Sequence, residues 1–107
     1  MHIALLNTSI ITNHGEYSYK AIGLENAKSL LGFSDGYVSH VGHDSTAQIM
    51  SELLGVDVPM SRIPFAQEPR QLALVFKLNG RPPEGKILTR EEIETIGYTW
   101  GLLQRMS

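Results

Sequence analysis

A chain of 107 residues, 42% hydrophobic and 19% charged, has the size and balance of one globular domain spanning 1–107 and is too short for two. Nine Lys and Arg against eleven Asp and Glu leave a net charge of −2, which argues against a general duplex-nucleic-acid binder and requires any anion to be held by a local site. With no cysteine, disulfides, thiolate zinc sites and thiol catalysis are excluded.

In chain order, "HIALLN" (2–7) is apolar on both faces, as a central strand would be. No basic leader precedes it and no apolar run reaches the length of a membrane span, so a cytoplasmic protein with no membrane partner is expected. "EYSYKAI" (16–22) alternates, with Tyr17, Tyr19 and Ala21 opposite Glu16, Ser18 and Lys20, a strand with one wet face. "LENAKSLLG" (24–32) places Leu24, Ala27 and Leu31 on one helical stripe and should stop at Gly32. "GYVSHV" (36–41) is a short strand leading to Gly42 and His43. From Ser45 the pattern is helical again, with Ile49, Met50, Leu53 and Leu54 on one face and Gly55 after it. Ser45 and Gln48 have capping-box spacing, and Asp44 competes for the N-cap. "VPMSRIPF" (58–65) reads as an edge strand because of its two prolines. "QLALVFKL" (71–78) is the strongest strand, "NGRPPEGKIL" (79–88) a rigid loop, and Thr89 with Glu92 caps the helix "REEIETI". "YTWGLLQRM" (98–106) closes the chain as a last strand. The expected class is α/β, a mixed sheet of five to six strands with two or three short helices.

The chemistry-bearing residues are ordinary when taken singly. His40, His43 and Asp44 are close in sequence, but no H-E-x-x-H spacing exists, so neither a metal nor another cofactor is expected. No serine sits in a G-x-S-x-G elbow, and Gly36 and Gly42 do not build a P-loop. Ser9 could be a polar strand end, and Arg62 and Arg81 solvated arginines. One stretch stands apart: "GHDST" (42–46) opens a helix, and a helix N-terminus is a natural phosphate site.

As an ordered set these pieces match a known pattern. "GHDST" before an amphipathic helix, the arginine of "SRI", and "RPPEGKILT" before a short helix, together with "NTS" after the first strand, resemble the viral ring nucleases. These are type III anti-CRISPR proteins that destroy the cyclic tetra-adenylate messenger. The resemblance covers essentially the whole chain and is most specific at 42–46 and 84–89. It implies that His43 is the catalytic histidine and Glu84 an active-site carboxylate. It further implies that Ser9, Arg62 and Arg81 contact the ligand, beside Asp44 and Ser45 at the helix start. Family members carry a glutamine where this chain has Gly80, and here Pro82 and Pro83 fix φ in the loop.

The same resemblance implies a reaction and a partner. In RNA the ribose 2′-OH can itself attack the adjacent phosphorus, so no metal is required. The products are a 2′,3′-cyclic phosphate and a 5′-OH. A ring with four phosphates is too large for one small chain to enclose, so a two-fold homodimer is expected, cutting the ring into two linear di-adenylates. The alternative is a protein that sequesters a cyclic nucleotide without cutting it, for which a histidine at 43 would be unnecessary. His40, three residues upstream, is expected to contribute little.

Overall fold

The computed structural model describes residues 2–80 and 88–107. The elements run β1 (Ile3–Leu6), β2 (Tyr17–Ile22), α1 (Leu24–Phe33), β3 (Tyr37–Ser39), α2 (Asp44–Leu54), β4 (Leu72–Leu78), α3 (Arg90–Ile96) and β5 (Tyr98–Arg105). They form one α/β domain around a mixed sheet in the order β2-β5-β4-β1-β3. β1 pairs in parallel with β3 on one side and β4 on the other, while β5 runs antiparallel to both β4 and β2.

Burial explains which strand sits where. All four residues of β1 are buried, as a strand flanked on both sides and covered on both faces requires. Ile3 and Leu5 join Leu74, Phe76 and Trp100 under Ala27 of α1, Met50 and Leu53 of α2 and Ile93 of α3. All three helices therefore pack on the same side of the sheet. Each of these large side chains, fully buried, contributes about 1.5–3 kcal/mol. Ala4, Leu6, Ala73, Val75 and Leu103 face the other way and are covered by Phe65, with Ile10 and Tyr17 at the margin. Among the described residues that second face is covered by loop segments and carries no helix. At the far edge of the sheet β2 does not show the alternation its sequence suggests: Tyr17 and Ser18 are half-buried, while Tyr19, Lys20 and Ala21 are all exposed, as an edge strand with little cover on either face allows.

Two further expectations are corrected. Residues 58–65 form no strand: Pro59 and Pro64 have no amide to donate, and the segment follows the outer edge of β3 through one main-chain bond, Ser61 N–H to the Val41 carbonyl at 2.8 Å. Helix α1 does not stop at Gly32 but runs on to Phe33, where the Ser34 hydroxyl bonds back to the Leu31 carbonyl at 2.8 Å. The final helix behaves as its sequence says. The Thr89 hydroxyl accepts from the Glu92 amide at 3.2 Å and the Glu92 carboxylate accepts from the Thr89 amide at 3.2 Å, a full capping box. Among the described residues no helix is long and apolar enough to cross a membrane.

Candidate functional site

In an open α/β sheet the carboxyl ends of parallel strands, where the chain reverses its direction of travel across the sheet, are where ligands bind. Here the chain leaves β1 for β2 at one edge, crosses through α1 to β3 at the other, and returns through α2 past β1 to β4, so the parallel neighbours of β1 are reached from opposite directions. Ser9 follows the end of β1 by three residues and is exposed; His43 follows the end of β3 by four and is exposed as well. Both leave the sheet at the same edge, since Leu5 is in register with Ser39. β4 also ends at this edge, at Leu78, and leads through Asn79 and Gly80 towards 81–87. Arg81 and Glu84 lie outside the described residues.

The start of α2 differs from its sequence signature. The N-cap is His43, with extended backbone at φ −124° and ψ 125°, not Asp44 or Ser45. The first helical bond runs from the Ala47 amide to the His43 carbonyl at 3.0 Å. The His43 side chain makes no capping bond, so the amides of the first turn, which have no carbonyl four residues back inside the helix, stay open to an outside acceptor. Asp44 does not turn back to those amides; its carboxylate accepts from the Gln48 Nε2 at 3.2 Å. Ser45 is in the first turn with no capping box, and the spacing to Gln48 that suggested one serves the Asp44 contact one residue earlier.

Arg62 approaches from the other side. Its Nε donates to the Gly42 carbonyl at a long 3.4 Å, and a Cβ on Gly42 would sit 3.6 Å from the Arg62 Cγ. The guanidinium is thus brought beside the residue that precedes His43, and the side chain is exposed. The structure brings His43, Asp44, Ser45 and Arg62 together and puts Ser9 on the same sheet edge.

Next to this edge a cleft of about 370 Å³ separates α2 from the start of α3. Ser45, Gln48 and Glu52 line one wall, Thr89 and Arg90 the other, with Ile49 and Leu88 between. The Arg90 guanidinium is paired with Glu94 at 2.9 Å, and that hydrogen bond raises its pKa. Burial, then the charge of Glu94, raises the Tyr98 phenol above its usual value. These charges neutralise one another at the surface. Among the described residues no group of three or more His, Cys, Asp or Glu side chains converges on a point that could hold a metal ion.

Comparison with known proteins identifies the family. The model of the STIV B116-like family matches residues 3–100. The chain is 38% identical over 107 residues to the uncharacterized protein YddF of Bacillus subtilis, covering 99% of each. It is 36% identical over 86 residues to protein 26 of the Sulfolobus islandicus filamentous virus, covering 79% of this chain and 72% of that one. A third relative, ORF117 of the Acidianus two-tailed virus, is 31% identical over 107 residues, 95% of this chain and 92% of its own. Among solved structures, B116 of Sulfolobus turreted icosahedral virus superposes with a TM-score of 0.83 at 18% identity, over 97% of this chain and 99% of that one, which is likeness of fold. Sequence and fold agree over nearly the full length, and the chain belongs to the STIV B116-like family.

Proposed function

We propose that this protein is a metal-independent ring nuclease that cuts cyclic tetra-adenylate into linear di-adenylate and so ends type III CRISPR second-messenger signalling. The observation that carries the reading is the start of α2. An exposed histidine stands as N-cap with its side chain uncommitted, ahead of open first-turn amides and beside an arginine held at Gly42. Ser, Thr, Asp and Asn are the side chains that cap a helix start by bonding to its backbone; histidine at that place makes no such bond and keeps a proton donor at an anion site.

The reaction needs four things. The 2′-OH attacks phosphorus in line, forming the 2′-O–P bond while the P–O5′ bond breaks. Protonated His43 gives its proton to the departing 5′ oxygen, a contribution of roughly 10²–10⁴-fold. Glu84, assigned by its motif, takes the proton of the 2′-OH. Arg62, Arg81 and the α2 amides stabilise the charge that grows on the phosphoryl oxygens. On this reading Ser9, three residues past the end of β1, hydrogen-bonds the ligand. The cleft beside Ser45 has the mixed polar and apolar lining that a nucleobase requires. In a two-fold homodimer, duplicate sites would face opposite sides of the ring.

The test measures binding and cutting on one sample. Labelled cyclic tetra-adenylate is incubated with the protein, bound ring is read by gel shift, and products are separated by chromatography. The reading expects a transient shift that gives way to di-adenylate. A lasting shift without product would make this a sequestering protein, and no shift and no product would end the proposal.

A further inference from the structure

Ser39 ends β3 and His40 follows it on the way to His43, and both side chains bond to the 59–63 segment. Ser39, only 5% exposed, donates its hydroxyl to the Pro59 carbonyl at 2.6 Å and accepts the Val41 amide at 3.3 Å. His40 is bonded through Nδ1 to the Ile63 carbonyl at 2.9 Å; since a carbonyl only accepts, Nδ1 carries the proton. Its ring rests on Phe65, centroids 4.9 Å apart. Between these two bonds lie the Ser61-to-Val41 main-chain bond and the Arg62 contact with Gly42. Residues 59, 61, 62 and 63 are thus tied in sequence to 39, 41, 42 and 40. The segment has no ladder of its own, so these ties set where Arg62 stands.

We propose that Ser39 and His40 are positioning residues, which lock the Arg62 segment to the His43 loop so that arginine and histidine meet the same phosphodiester. This rests on the ring-nuclease reading. A guanidinium must be held within about 0.5 Å to serve an anion well, and an unsupported arginine has high rotamer entropy. His40 therefore acts through Arg62, contrary to the expectation that it contributes little.

Three variants of His40 separate bonding from packing. His40→Asn keeps a nitrogen donor close to the Nδ1 position, His40→Leu keeps a side chain against Phe65 without a donor, and His40→Ala removes both. Affinity for labelled cyclic tetra-adenylate and the single-turnover rate at saturation are measured for each, alone and with Arg62→Ala. His40→Ala and His40→Leu are expected both to weaken binding and to lower the saturated rate, roughly tenfold each, because Arg62 meets the phosphate in the ground state and in the transition state, and His40→Asn should recover most of both losses. In the Arg62→Ala background the further loss should shrink to less than about twofold. A His40→Ala penalty equally large with and without Arg62, or no penalty at all, overturns the proposal.

Amide hydrogen exchange in the ligand-free protein tests the lock without any ring. His40→Ala should speed exchange at the Ser61 amide and leave the Leu74 amide of β4 unchanged. Equal Ser61 exchange in wild type and variant overturns the lock. If wild-type protein does not bind the ring, the ring-nuclease reading fails, and the exchange result decides the lock alone.

Discussion

A histidine N-cap is a poor choice for stability, and that makes His43 informative. Replacing Ser, Thr, Asn or Asp at an N-cap costs typically ~1 kcal/mol because a side-chain bond to the backbone is lost; His43 has no such bond to lose. His43→Ala should therefore leave the thermal midpoint nearly unchanged. Its effect should fall on chemistry: a single-turnover rate lower by about 10²-fold or more, with affinity close to wild type, because a general acid acts in the transition state. Lost affinity with the rate retained would make His43 a ligand anchor instead. At this scale the sequence carried part of the site. "GHDST" marks the start of α2, where the proposed reading puts a phosphate, although Asp, Ser and Thr are also what ordinary helix starts use. The roles of Ser39 and His40 were not legible, because their partners, Pro59 and Ile63, lie 20 and 23 residues downstream and the bonds go to carbonyls that every residue carries.

The elements divide into those fixed by local rules and those fixed by neighbours. Thr89 and Glu92 announce α3 and build both bonds of the capping box. Thr89→Ala should cost about 1 kcal/mol, read as a drop in denaturation midpoint. Ser45, which shows the same spacing at α2 and caps nothing, should change stability by less than about 0.5 kcal/mol on mutation to Ala. Equal losses at the two positions would contradict the assigned caps. The difference arises because backbone geometry chose the N-cap two residues earlier, and spacing alone does not register the strand that delivers the chain. The 58–65 stretch failed as a strand for a related reason: its two prolines suggested an edge strand, but they leave too few donors for a ladder. Within the sheet, Gly101 on β5 faces the Tyr19 ring of β2, and a Cβ there would run into the ring. Gly101→Ala should cost about 1–3 kcal/mol in wild type and much less beside Tyr19→Ala, where the space is free. The same cost in both backgrounds would show that backbone freedom, not the ring, requires glycine.

At the scale of the molecule, helices on one sheet face and loops on the other leave the carboxyl edge of β1, β3 and β4 to carry Ser9, His43 and Arg62. On the proposed reading one copy would supply a single set of these groups to a ligand with four phosphates, and a net charge of −2 offers no general attraction. The active species should accordingly be a two-fold dimer, sedimenting at twice the 11.9 kDa of the chain. A monomer with full activity would contradict this. The most direct measurement of the central claim is product analysis after incubation with labelled cyclic tetra-adenylate in excess EDTA. The account predicts undiminished conversion to di-adenylate ending in a 2′,3′-cyclic phosphate and a 5′-OH. Conversion abolished by EDTA and restored by Mg²⁺ or Mn²⁺, or products ending in a 5′-phosphate, would contradict it.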